Sequence, residues 1–190
     1  MPIAATDVVR TATVRLDDSR ELWFQTYSLG RRRLGGIRVY ENNKKYWGPT
    51  RSGVDMTLEQ LLQLLPELVS LSQLVEQGSV VPPLEYARVS AGRTSEWVVQ
   101  VLEASGMSSV LLLDIRKYVS TERFTGFTRK GLRLDFQHID AIAEHLPSLC
   151  ESLEAWRRGD WGLFAQEEST ESSKPTVAPE SVPTEYRDYF

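Results

Sequence analysis

The stretch Thr-Arg-Lys-Gly-Leu-Arg-Leu at residues 128–134 has a related copy, Thr-Arg-Ser-Gly-Val-Asp-Met, at residues 50–56. Each copy reads as a basic turn, a short strand and the first turn of an amphipathic helix. From position 50 to position 128 the offset is 78 residues, and at this offset Ile37-Arg-Val-Tyr40 also matches Ile115-Arg-Lys-Tyr118. Because a repeat of this length governs how every shorter motif is interpreted, the sequence predicts two copies of one folding unit.

Each copy is expected to contain four short strands followed by one helix. In the first copy, β-favouring residues predict strands at 21–29, 37–40, 44–51 and 54–56, with a turn at Gly53 before the last. Thr57 fits the helix N-cap, and Gln60 completes a capping box. In the second copy we expect strands at 97–102, 110–118, 123–129 and 132–134, and a helix capped by Asp135. The predicted fold class is therefore α+β, with two β-β-β-β-α repeats.

The domain boundaries follow from this pattern and from composition. Residues 1–20 alternate weakly and could add an edge strand or stay mobile. The first repeat is placed at 21–77, a Gly- and Pro-containing linker at 78–95 and the second repeat at 96–165. Trp23 matches Trp97 with an offset of 74, which predicts a longer hairpin in the second copy. Residues 166–190, rich in Ser, Thr, Pro and Glu, are predicted to form a disordered acidic tail.

Composition narrows the class of protein. The 190 residues are 41% hydrophobic and 25% charged, which is ordinary for a globular protein. A single cysteine excludes an intramolecular disulfide, and no apolar run approaches the roughly 18 residues that a membrane span needs. The first residues lack the features of a secretory signal. We therefore expect an intracellular protein, in the cytoplasm and nucleoid or in the nucleus, with no membrane partner.

The charges are sorted along the chain. Residues 162–190 contain two basic and six acidic residues, which accounts for the whole net charge of −4. Residues 20–53 contain eight Lys and Arg against Glu21 and Glu41, a surplus of +6. Such a local surplus indicates an anionic partner better than the total charge does.

Enzymatic chemistry finds little support in the sequence. His138 and His145 lie seven residues apart on the second predicted helix, with no third metal ligand evident. Cys150 has no histidine placed to activate it, and the glycines match no phosphate-binding loop. We expect a protein that is not an enzyme and has no catalytic residues, no metal site and no cofactor.

Cationic and aromatic residues recur together on the predicted strands and turns. Single-stranded nucleic acid requires this mixture, because cations bind phosphates and flat rings stack on bases. The candidate nucleic-acid-binding residues are Arg31, Arg32, Arg33, Arg38, Tyr40, Lys44, Lys45, Trp47, Arg51, Arg116, Lys117, Tyr118, Arg123, Phe127, Arg129 and Lys130. The alternative is that Trp23, Trp47 and Trp97 fill the core and the cations only solubilise the surface.

Asp114-Ile-Arg-Lys-Tyr118, followed by the 128–134 stretch and a capped helix, resembles the single-stranded-DNA-binding domain of positive cofactor four, the transcriptional coactivator. The resemblance covers roughly residues 96–153, and the first copy keeps its outline over roughly 21–74, with Ser52 where a lysine is expected. It implies a curved four-stranded antiparallel sheet with one helix, which binds single-stranded or melted DNA as a dimer, with little sequence preference and no cofactor. The same unit occurs in Whirly and Pur-alpha-like proteins.

Carried onto this chain, the resemblance implies that two Whirly-like repeats pair as an intramolecular pseudo-dimer, as a monomer or within a larger homo-oligomer. It points to Arg116, Lys117, Arg129 and Lys130 as binding residues, with Arg38 and Arg51 as their partners in the first copy. The roles it implies lie in transcription or DNA maintenance. An RNA-binding regulator on the same fold and a protein-interaction module remain alternatives.

The end of the tail is acidic and aromatic, with Tyr186, Asp188, Tyr189 and Phe190. It resembles the partner-recruiting tips of bacterial single-stranded-DNA-binding proteins, which implies a protein partner held through a tether. The alternative is a solvated segment that only aids solubility.

Overall fold

The computed structural model describes residues 5–43, 46–104 and 107–159. Within them, four strands and a helix are followed by four strands, one turn of 3-10 helix and a second helix. The first half comprises β1 (Ala5–Arg15), β2 (Arg20–Leu29), β3 (Arg32–Asn43), β4 (Tyr46–Met56) and α1 (Leu58–Glu76). The second half comprises β5 (Glu85–Gly92), β6 (Ser95–Ala104), β7 (Met107–Ser120), β8 (Thr125–Asp135), the 3-10 turn (Phe136–His138) and α2 (Ile139–Arg158). The predicted α+β class is confirmed.

The eight strands form one mixed sheet in the order β1-β2-β3-β4-β8-β7-β6-β5. Neighbours within each half pair antiparallel. The two halves meet where β4 runs parallel to β8, with Ser52 opposite Gly131. Because β4 and β8 begin six residues before these positions, the first residues of the two strands lie at the same end of the sheet.

The predicted turns at Gly53 and Gly131 are wrong, because β4 and β8 run through them without a break. The strands predicted at 44–51 and 54–56 are therefore parts of one strand, β4. The first half still has four strands because residues 5–15 form β1, as the edge-strand alternative for the N-terminal segment expected. Both glycines instead allow a close approach of the neighbouring strand. A Cβ at Gly53 would lie 2.9 Å from the carbonyl oxygen of Ile37, and one at Gly131 would lie 2.5 Å from that of Ile115.

The linker predicted at residues 78–95 instead contains strand β5 and the turn into β6. The glycines, prolines and serines of this stretch favoured a linker, but apolar residues between them pack into the core. Val89 is buried, and Tyr86, Ala87 and Ala91 pack against the core cluster. Only residues 77–84 connect α1 to β5. The tail predicted at 166–190 lies outside the described residues.

The match of Trp23 with Trp97 is one residue out of register. Leu22 pairs with Val39, and Trp97 pairs with Lys117, which lies 78 residues after Val39. Leu22 therefore corresponds to Trp97. A slip of one residue moves a side chain to the other face of a sheet, so Trp97 joins the core whereas Trp23 lies on the opposite face with Arg38.

The helix starts differ between the halves. Thr57 and Gln60 form the predicted capping box, in which Thr57 N donates to Gln60 Oε1 at 3.0 Å and Gln60 N donates to Thr57 Oγ1 at 3.4 Å. Asp135 makes no such side-chain cap, contrary to the prediction, and the 3-10 turn precedes α2. Buried leucines and isoleucines at helical spacing give both helices an apolar face: Leu58, Leu61, Leu64, Leu68 and Leu71 on α1, and Ile139, Ile142, Leu146, Leu149 and Leu153 on α2.

The two helices join the halves into one core. Helix α2 packs on β1, β2 and β3 of the first half, whereas α1 contacts β5 of the second half. The side chain of Gln60 donates to the carbonyl oxygen of Ser90 at 2.9 Å, and Ser72 Oγ donates to Asp140 Oδ1 at 2.7 Å between the helices. One cluster of buried side chains therefore spans both halves. Neither helix in the described part of the chain is long and apolar enough to cross a membrane.

We expect Gly131→Ala to lower the free energy of unfolding by roughly 1–3 kcal/mol, because the new methyl group would press on the backbone of β7. Urea unfolding followed by circular dichroism measures the change. Gln63→Ala, at an exposed position of α1, serves as the control and should shift stability by no more than about 0.5 kcal/mol. Equal stability of the two variants would contradict the close approach of β7 and β8 at this position.

Candidate nucleic-acid interface

A cavity of about 660 Å³ lies where the halves meet. It is lined by residues of β2, β3 and β4 from the first half and of β6, β7 and β8 from the second. The lining residues are Tyr27, Leu29, Arg32, Leu34, Arg38, Arg51, Gly53, Asp55, Trp97, Lys117, Arg129 and Lys130. We call this cavity the basic groove, because these described residues include six cations and one carboxylate.

Matching irregularities in the two halves place the cations of the groove. Thr50 Oγ1 donates to the carbonyl oxygen of Val39 at 2.9 Å, and Thr128 Oγ1 donates to that of Lys117 at 3.0 Å. The same hydroxyls accept from the amides of Ser52 and Lys130, at 3.1 and 3.2 Å. Both threonines lie beside a register shift between neighbouring strands, a bulge that re-aims side chains.

Arg51, Arg129 and Lys130 lie next to these threonines and are exposed. The parallel pairing of β4 with β8 brings them together from distant parts of the sequence. The threonines were visible in the quoted stretches, but no role for them was predicted. Their recurrence at the same place in both copies was the available signal.

Arg38 lines the groove but is only 4% exposed. Its Nη2 lies 2.7 Å from Asp55 Oδ2, and its Nη1 donates to the carbonyl oxygen of Thr50 at 3.1 Å. Burial and the nearby Asp55 carboxylate raise the pKa of Tyr27 well above its usual value. The positive charge of Arg38 is thus balanced by Asp55 within the protein, beside the neutral Tyr27.

Arg116, at the corresponding place in the second half, is bound differently. Asp114 is fully buried and accepts from Arg116 Nη2 at 2.8 Å, Arg133 Nε at 2.9 Å and Gln100 Nε2 at 2.8 Å. Alternation along β7 places Asp114 and Arg116 on one face of the sheet, and Gln100 from β6 and Arg133 from β8 join them there. Arg116 is not among the residues that line the groove.

Other predicted cations lie away from the groove. Arg33 Nη1 donates to the carbonyl oxygen of Asp7 at 2.7 Å, and its Nη2 donates to Thr26 Oγ1 at 2.8 Å, which ties β3 to β1 and β2. Burial lowers the pKa of Arg33. Arg31 lies in the exposed turn before β3, and Arg123 lies in the exposed turn before β8. Lys44, Lys45, Tyr186, Asp188, Tyr189 and Phe190 lie outside the described residues.

An aromatic cluster lies at the start of β4. The ring of Trp23 on β2 stacks on Tyr40 with centroids 3.7 Å apart, and the guanidinium of Arg10 on β1 lies 3.6 Å from the centroid of the Trp23 ring. Trp47 meets Trp23 edge-on at 6.2 Å and is 65% exposed. Trp47 is therefore largely exposed, while the ring of Tyr40 is covered on one side by Trp23. Arg10 was missed, because residues 1–20 were not firmly assigned to a strand.

A second aromatic cluster lies at the start of β8. Tyr118 meets Phe127 edge-on at 5.2 Å, and the guanidinium of Arg88 lies 5.0 Å from the Tyr118 ring. Phe127 is 41% exposed, and Phe124, which was not predicted, is 50% exposed. Since β4 and β8 start at the same end of the sheet, Trp47 and these phenylalanines lie at that end together.

The residues considered for catalysis have other surroundings. Cys150 is buried, and burial raises the pKa of its thiol to about 11. The ring of His145 lies 5.5 Å from Phe24, edge-on. Within the part of the chain that the structure describes, no group of three or more His, Cys, Asp and Glu side chains could hold a metal ion.

Comparison of the sequence with protein-family models gives no match, and comparison with curated proteins gives none either.

We expect Arg38→Ala to lower the free energy of unfolding by roughly 1–3 kcal/mol, because Asp55 would lose its buried partner. Arg51→Ala removes an exposed arginine of the same groove and should cost no more than about 1 kcal/mol. Thermal or urea unfolding of both variants checks this. If Arg51→Ala were the more destabilising change, Arg51 rather than Arg38 would be the structural cation.

Proposed function

We propose that this protein binds single-stranded or melted DNA with little sequence preference, in transcription or DNA maintenance, and that its halves are Whirly-like repeats paired as an intramolecular pseudo-dimer. The observation that carries the proposal is the basic groove across the β4–β8 junction, with exposed aromatic rings at one end of the same two strands.

The charge of the groove suits a phosphate backbone. Arg32, Arg51, Arg129 and Lys130 are exposed, and the ammonium of Lys117 lies 5.9 Å from the Trp97 ring. The one carboxylate among the described lining residues, Asp55, is paired with Arg38. The groove therefore has a positive surplus, and neutralising phosphates there would release counterions from the nucleic acid.

The exposed rings favour a single strand over a duplex. In a duplex the bases are stacked on each other, whereas a single strand can turn its bases onto Trp47, Phe124 or Phe127. Stacking of this kind contributes about 1–3 kcal/mol per base and tolerates any base. A surface built from arginines, lysines and such rings would therefore bind with little sequence preference.

Several details support the pseudo-dimer. Gly48 and Gly126, 78 residues apart, have φ of 156° and 150°, and the hydrogen bonds of Thr50 and Thr128 recur at the same spacing. The register shifts after Arg38 and Arg116 recur in the same way. The helices that pack across the halves would hold two such repeats together within one chain.

The binding test is fluorescence anisotropy with labelled single-stranded DNA, duplex DNA and matched RNA over a salt series. We expect tight binding to the single strand, with log affinity falling linearly with log salt. In the triple variant Arg51→Gln, Arg129→Gln, Lys130→Gln, the slope for the single strand should fall by about two, because three phosphate contacts are lost and each contributes about 0.7.

The matched control removes the same charge from exposed positions away from the groove: Arg93→Gln, Arg157→Gln, Arg158→Gln. It should leave the salt slope almost unchanged. Equal losses in both triple variants would mean that binding follows net charge rather than the groove. No binding by the wild-type protein at low salt would sink the proposal, and stronger binding of the RNA would move it to an RNA-binding regulator.

Trp47→Ala should weaken binding of the single strand by about 1–3 kcal/mol, with little change in salt slope, because stacking rather than charge is lost. Trp156→Ala is the control, since this half-exposed tryptophan belongs to α2. Anisotropy at one fixed salt concentration compares the two. An equal effect of both substitutions would remove Trp47 from the interface.

A further inference from the structure

We propose that the chain binds one single strand per molecule, in the basic groove, and does not hold both strands of a melted duplex in two equivalent grooves. This inference rests on the proposed function, and concerns the number of strands and the side of the β4–β8 junction that they occupy.

A pseudo-dimer with equal halves would have two matching grooves, related by the 78-residue correspondence. The hydrogen bonds of the two threonines fix that correspondence in space: Thr50 binds the carbonyl of Val39, and Thr128 binds that of Lys117. The basic groove uses Lys117 from the second half. Its counterpart in the first half, Val39, is a buried core residue and can offer no charge.

Two further cations of the groove also lack a counterpart. Lys130 corresponds to Ser52, and Arg32 corresponds to Val110. Three of the six cations that line the basic groove are therefore replaced by uncharged residues at the corresponding positions. A second groove at those positions would bind phosphate groups much more weakly than the basic groove does.

The acidic residues are also placed unequally. In the first half Asp55 binds Arg38 directly, and Gly36 lies opposite Asp55 on the neighbouring strand. The corresponding positions in the second half are Arg133 and Asp114, and the fully buried Asp114 binds both Arg116 and Arg133. Arg116 and Arg133 share this one carboxylate, whereas Arg38 alone is paired with Asp55, so the cluster around Asp114 replaces only one of the three missing cations.

Of the three groove cations that remain, Arg38 is paired with Asp55 and the other two are shared between the two positions. Arg51 and Arg129 correspond to each other, and both line the basic groove at the junction. A strand in the groove would engage both. A second strand on the opposite side would then have to rely on Arg116 and Arg133, which already bind Asp114. The first strand should therefore exclude a second one.

The experiment is native mass spectrometry of the full chain with a ten-nucleotide single strand in excess at low salt, a length within the range that one small binding domain covers. We expect one oligonucleotide per chain at saturation. Two oligonucleotides per chain would overturn this inference and leave the proposed function standing. No bound oligonucleotide would overturn both.

A reciprocal pair of substitutions tests the asymmetry directly. Lys130→Ser removes a groove cation and should lower the salt slope for the first strand by about one. Ser52→Lys places a lysine at the corresponding position and should leave that slope unchanged while a second oligonucleotide begins to bind. Equal effects of the two substitutions on the first strand would show that both sides contribute alike, and would overturn the proposal.

Discussion

The structure depends on one contact between two strands that are far apart in the sequence, the parallel pairing of β4 with β8 at Ser52 and Gly131. Antiparallel hairpins build each half, but this pairing makes one sheet of them and sets the basic groove between them. Beside this pairing, β3 and β7 approach the backbones of β4 and β8 closely at Gly53 and Gly131, where a side chain would meet a carbonyl oxygen.

The basic residues of this sheet divide into two groups by their exposure to solvent. Arg33, Arg38 and Arg116 make hydrogen bonds or ion pairs within the protein and hold strands together. Arg51, Arg129 and Lys130 lie at the junction and are exposed, beside threonines that fix the local backbone. Residue type alone does not separate these groups, because each contains arginines that recur at the 78-residue spacing: Arg38 and Arg116 in the first group, Arg51 and Arg129 in the second. The proposed interface therefore relies on the second group.

Much of the fold could be predicted from the sequence, because alternation, capping and the 78-residue repeat are local signals. The capping box at Thr57 and the strand at 21–29 are examples. The errors came from residues whose role is set by a distant neighbour: Gly53 and Gly131 by the adjacent strand, Val89 by the core, and Trp97 by its pairing partner. Arg51, Arg129 and Lys130 were named from the sequence as candidate residues, but their meeting across β4 and β8 could not be predicted, because no local pattern encodes a parallel pairing of these two strands.

The packing of α2 against strands of the first half also has a consequence for synthesis of the chain. Helix α2, at residues 139–158, packs on β1, β2 and β3, and its His145 lies against the ring of Phe24, so Phe24 is covered only after the last described element has been made. Strand β4 likewise has no partner on one side until β8 is made. Such non-local contacts fold slowly and leave apolar surface and a strand edge exposed in the meantime. During translation the first half should therefore be a client for chaperones until the second half has emerged from the ribosome.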